Sequence, residues 1–64
     1  MKVEIDFWVT EEDGKTRKGQ NVKGIILGAY TNKKGEPHLM FAYEPLYLIG
    51  SIAMKDLIRC APLY

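Results

Sequence analysis

Cysteine, histidine and tryptophan occur once each in this chain of 64 residues, as Cys60, His38 and Trp8. A single cysteine excludes an intrachain disulfide. Cys60 and His38 together supply two of the roughly four ligands that a structural zinc site takes. Neither bridge nor metal is therefore expected to reinforce the fold, and no cofactor is expected. A lone thiol fits a reducing compartment. Long hydrophobic runs are also missing. The longest are the five residues Leu39–Tyr43 and, if Gly28 is counted through, Ile25–Tyr30. That is far short of the ~20 residues a membrane helix needs. The first residues alternate charge with apolar side chains, where a signal peptide needs about 7–15 apolar residues in a row. The start at Met1 reads as a complete small frame, with the cytoplasm as the expected location and no membrane as partner.

An excess of charge of one sign is lacking too. Nine Lys and Arg against eight Asp and Glu leave a net charge of +1. Proteins that coat nucleic acid without sequence preference are far more basic, because their affinity comes from neutralising phosphates. The charges are nevertheless clustered. Glu11, Glu12 and Asp13 are followed by Lys15, Arg17, Lys18 and Lys23, with Lys33 and Lys34 beyond. The length allows one domain, residues 1–64, with one core. Such a core rarely supplies more than about 3–5 kcal/mol, so small folds often recruit a partner subunit.

What is present is period two. Val3, Ile5, Phe7 and Val9 fall on one face of residues 2–10 and Lys2, Glu4, Asp6, Trp8 and Thr10 on the other. This is the pattern of a half-buried strand, with Trp8 on its polar face. Residues 11–21 hold no apolar side chain and read as one long loop with a turn at Asp13-Gly14. Residues 22–30 form a second strand, apolar on both faces, hence buried on both sides or curved. Gly24 and Gly28 mark a bulge or sharp bend within it. Residues 31–36 make a turn that uses Gly35 for positive φ. Residues 38–43 make a third strand, with Leu39, Phe41 and Tyr43 on one face, ended at Glu44-Pro45. Residues 46–53 make a fourth strand. Met54–Leu57 fits one 3₁₀ turn, and residues 58–61 make a short last strand. No stretch sustains helical periodicity. The expected fold is all-β: five short strands in a partly open barrel, with a single 3₁₀ turn before the last strand.

The order strand, long loop, strand, hairpin, strand, hairpin, strand, 3₁₀ turn, strand resembles the SH3-like small barrel. Arg17-Lys18-Gly19-Gln20-Asn21-Val22-Lys23-Gly24-Ile25-Ile26 resembles the step where an SH3 chain leaves its long first loop. Gly50-Ser51-Ile52-Ala53-Met54-Lys55-Asp56-Leu57-Ile58 resembles its closing strand, 3₁₀ turn and strand. Peptide-binding SH3 domains carry an Ala-Leu-Tyr-Asp-Tyr-like run where this chain has Ile5-Asp6-Phe7-Trp8-Val9. They carry a tryptophan where it has Pro37-His38, and proline and tyrosine where it has Ala53 and Leu57. The resemblance therefore implies the barrel and not the proline-peptide pocket. Sm-like and translation-factor-type barrels share the layout and often bind nucleic acid.

Two binding surfaces follow as expectations. The first recognises another protein through Trp8, Tyr30 and Tyr43, since tryptophan is enriched among interface hot spots. The second uses the basic loops 15–23 and 32–35 on nucleic acid, with Lys15, Arg17, Lys18, Lys33 and Lys34 on phosphates and the same aromatics as stacking platforms. Against it, loop lysines commonly do no more than solvate their loops, and Glu11, Glu12 and Asp13 repel phosphate. The apolar end Pro62–Tyr64 docks on its own barrel or on a second subunit, and it or an exposed edge strand offers a surface for a homodimer. Catalytic arrangements are absent from this reading. Cys60 reads as a packing cysteine and His38 as a surface histidine. Glu11 and Asp13 share a loop with no fixed geometry, and no strand-to-helix glycine loop cradles phosphate. The chain is read as a non-enzymatic interaction module.

Overall fold

A computed structural model describes residues 1–63, so the last residue of the C-terminal surface, Tyr64, lies outside the described residues. Five antiparallel strands form one sheet in the order β4-β3-β2-β1-β5. They are β1 (Lys2–Thr10), β2 (Arg17–Thr31), β3 (Pro37–Tyr43), β4 (Leu48–Ala53) and β5 (Leu57–Leu63). The 3₁₀ turn Met54–Asp56 lies between β4 and β5. β4 and β5 are the two edges of the sheet, which is not closed. No helix of the described residues is long and apolar enough to cross a membrane.

The alternation in β1 sets the core. Val3 and Ile5 are buried, Ile5 completely, and they pack with Leu39, Phe41 and Ile52. Phe7, Val22, Tyr43, Met54 and Leu57 close around them. Burying each large aliphatic side chain is worth about 1.5–3 kcal/mol. The 3₁₀ turn and β5 thus contribute Met54 and Leu57 to the same core that β1 and β3 build.

Residues 11–21 are not one long loop. Only residues 11–16 turn. Asp13 accepts hydrogen bonds from the backbone N–H groups of Lys15 and Thr16, both 2.8 Å, and Glu11 N–H bonds Thr16 C=O at 2.7 Å. From Arg17 the chain is strand, paired from Thr10↔Arg17 to Lys2↔Ile25. Apolar periodicity could not reveal this, because the tight turn and the backbone ladder, not side-chain burial, hold residues 17–21 opposite β1. The basic "loop" 15–23 is corrected accordingly. Lys15 lies in the turn, while Arg17, Lys18 and Lys23 lie on β2.

β2 is curved rather than buried on both sides. Ile25, Ile26 and Leu27 are exposed; Ile25, opposite Ala42, lies on the outer face, where a single sheet has no second layer to cover it, while Ile26 stands opposite the core residue Phe41. The bend falls at the glycines. A register shift separates Ile26 and Gly28 in the pairing with β3, the mark of a β-bulge. Gly24 is the point where β2 passes from pairing with β1 to pairing with β3, opposite both Val3 and Tyr43. There the strands approach so closely that a Cβ on Gly24 would lie 2.0 Å from the Ala42 carbonyl oxygen.

The turn after β2 uses Gly35 at φ 80 as expected. Residues 46 and 47 belong to the turn before β4 rather than to the strand. β5 is longer than residues 58–61. Ala61, Pro62 and Leu63 pair with Glu4, Val3 and Lys2 of the same chain. Cys60 is exposed, not packed, because in β5 it stands opposite Ile5 at the open edge of the sheet.

Candidate functional site

The 3₁₀ turn joins the ends of two hairpins through consecutive residues. Asp56 ion-pairs with Arg17, the first residue of β2. Lys55 Nζ reaches Glu36 Oε2 at 3.2 Å, in the turn between β2 and β3. One three-residue turn thus ties together the two hairpin turns that lie at opposite ends of β2.

Trp8 sits beside the Arg17 end of β2. It is 44% exposed on the outer face of β1 and lies across from Gly19, whose missing side chain leaves the indole room. The Arg17 guanidinium carbon is 6.0 Å from the ring centroid, within cation–π range. Beyond Trp8 the same face is closed by charge. Arg59 donates from Nε to Asp6 and from Nη2 to Glu4, both 2.9 Å, and Asn21 Nδ2 donates to the same two carboxylates. The Asn21 hydrogen bond and then Arg59 hold the Asp6 carboxyl below its usual range.

Tyr30 lies near the other end of β2, opposite His38, and is 42% exposed. Its ring stacks on His38 with centroids 5.2 Å apart, and its hydroxyl donates to Ser51 Oγ at 3.2 Å. His38 is half-buried rather than a surface residue, and its Nδ1 is buried without a hydrogen-bond partner. Its Nε2 faces Asn32 Nδ2 at 3.2 Å. Asn32 organises the turn. Its Oδ1 accepts from the N–H groups of Lys34 and Glu36, each at 2.9 Å, and its Nδ2 also reaches Glu36 Oε1. That contact, followed by Lys55, keeps the Glu36 carboxyl low.

Tyr43 stands apart. It ends β3 opposite Leu48, packs at a tilt on Phe41, and touches the core. Five residues separate it from His38 along β3, about 17 Å at the rise of a strand. The two ion pairs set the Trp8 end and the Tyr30 end of β2 against the 3₁₀ turn, and Tyr43 pairs with Gly24, midway between them along β2.

The basic residues divide in the same way. Arg17 is engaged by Asp56. Lys15, Lys18, Lys33 and Lys34 are exposed and enter no ion pair among the described residues. Asp13 is turned inward on its own turn, where the Thr16 hydroxyl and then the Thr16 and Lys15 amides hold its carboxyl low. The residues that sequence reasoning missed are Lys55, Asp56 and Glu36. Their one signal was an adjacent pair of opposite charges inside a 3₁₀ turn. Among the described residues no group of three His, Cys, Asp or Glu comes together. No family model, curated protein or solved structure matches this chain.

Proposed function

We propose that the chain is a non-enzymatic binding module, an SH3-like barrel that recognises another protein around its 3₁₀ turn. The observation that carries this reading is the double tether of the 3₁₀ turn, Asp56 to Arg17 and Lys55 to Glu36. It holds the regions of Trp8 and Tyr30 around one short rigid element. Exposed aromatics with an arginine beside them are the composition of interface hot spots. Acidic and basic groups alternate around the 3₁₀ turn: Glu36 beside Lys55, and Asp56 beside Arg17. A polypeptide can match such mixed charge, whereas a polyanion meets repulsion at every carboxylate. The strand order β4-β3-β2-β1-β5, with the 3₁₀ turn between β4 and β5, supports the SH3-like assignment.

Nucleic-acid binding is the second reading, favoured by Lys15, Lys18, Lys33 and Lys34, which enter no ion pair among the described residues. Two probes separate the readings: a displayed library of random peptides, and a mixed oligonucleotide pool at two salt concentrations. Enriched peptides whose binding is lost in Trp8→Ala support protein recognition. Oligonucleotide binding that weakens steeply with salt, and is lost in Lys33→Ala/Lys34→Ala, supports the second reading and overturns the first if no peptide is enriched.

A further inference from the structure

We propose that the free edge of β4 pairs with β4 of a second copy of this chain, antiparallel about a two-fold axis at Ile49. Backbone chemistry specifies the occupant first. Among the described residues β4 pairs with β3 alone, so the N–H and C=O groups of its other side offer themselves to an extended strand.

The two edges of the sheet differ sharply. β5 is guarded by Arg59 in its middle, by Pro62, and by a register shift in its pairing with β1. Charge, proline and bulges are the devices that keep edges from pairing. β4 has none of them. No charged residue occurs between Pro45 and Met54, and the β3–β4 register is unbroken. The turn leading into β4 adds apolar surface: Leu46 is 75%, Leu48 52% and Ile49 70% exposed. Residues 46–49 are the longest consecutive run of exposed large apolar side chains among the described residues. Ile49 also stands opposite Ala42, and Ala42 opposite Ile25, so an apolar row runs back across the outer face from the edge.

A second copy suits this edge better than a foreign strand. Two-fold antiparallel pairing sets an uncharged strand against itself, with no like charges to oppose. The core gives a reason for it. More large apolar side chains lie exposed than buried among the described residues, and folds this small often gain stability by association. A standard interface takes about 800 Å² from each partner, roughly a sixth of the 4708 Å² that the folded chain exposes.

Sedimentation equilibrium of the full chain tests this. The expected mass is that of a dimer. Ile49→Lys sets two ammonium groups across the axis and raises the dissociation constant about tenfold or more. Its circular dichroism and melting curve stay those of a folded chain, since Ile49 contributes little to the core. Ile49→Cys, in a Cys60→Ser background, gives a reducible cross-linked dimer on oxidation. Residues opposed in an antiparallel pair lie ~4.5–5.5 Å apart, within the ~4.4–6.8 Å a disulfide spans. Trp8→Ala leaves the dimer intact. A single-chain mass at every concentration overturns the proposal. So does a dimer that survives Ile49→Lys while Ile49→Cys fails to cross-link.

Discussion

The Arg17 guanidinium lies 6.0 Å from the centre of the Trp8 ring, and the carboxylate that holds it there comes from the 3₁₀ turn. Asp56→Asn removes the charge that fixes Arg17 while keeping the side chain's shape. Because the pair is partly exposed, stability falls by no more than about 1 kcal/mol. Trp8 is the chain's one tryptophan, so its emission reports the local change directly. The expected outcome is a shifted emission maximum with a nearly unchanged melting temperature. An unchanged spectrum would show that Arg17 keeps its place without Asp56.

Gly24 carries the bend of β2, and its requirement is space rather than φ. Gly24→Ala drives a Cβ into the Ala42 carbonyl, 2.0 Å away, where only backbone movement can give relief. The cost expected of such overpacking is about 3 kcal/mol, a large share of the stability of so small a domain. Chemical denaturation of the variant measures it. A loss below about 1 kcal/mol would mean that β2 and β3 separate there at little cost.

Asn32 satisfies two backbone N–H groups and reaches both Glu36 and His38. Asn32→Ala leaves those amides without their acceptor and removes the polar neighbour of His38 Nε2. A net loss of about 1–3 kcal/mol follows, and amide exchange accelerates first at Lys34 and Glu36. Uniform exchange across the chain would contradict the role given to Asn32.

Acid should unfold the protein in a definite window. The carboxyls of Asp6, Asp13, Glu36 and Glu44 are all held below their ordinary values. The causes are Asn21 for Asp6, Thr16 for Asp13, Asn32 for Glu36 and Lys2 for Glu44, each the leading one. A lowered carboxyl stabilises the fold above its unfolded value and loses that contribution as pH falls towards its folded value. The melting temperature is therefore flat from neutrality down to the ordinary values, 4.5 for Glu and 3.8 for Asp, and falls below them. Glu36→Gln flattens part of that fall. A decline that starts near neutrality would point to another group.

The strands were legible wherever burial patterned them. Val3, Ile5 and Phe7 announced β1, and Leu39, Phe41 and Tyr43 announced β3. The start of β2 was not, because Lys18, Gln20 and Asn21 are held by the ladder to β1 and not by a core. The openness of the outer face was equally hidden. Ile25, Ile26 and Leu27 read as buried residues, yet nothing in a sequence tells an apolar residue whether a second layer will reach it. Trp8 and Tyr30 were named from their chemistry. The 3₁₀ turn was expected as well, but the ion pairs that set them around it were not, because Lys55 and Asp56 carry no periodic signal and their partners lie far away in the chain.

The central claim is that a protein partner docks around the 3₁₀ turn. Its most direct test is chemical-shift mapping of the isotope-labelled chain titrated with a peptide enriched from the displayed library. The account predicts perturbations concentrated at Trp8, Arg17, Tyr30, Lys55 and Asp56, with a parallel change in Trp8 emission. Perturbations confined to β4, or to β5 around Arg59, with Trp8 emission unchanged, would contradict it.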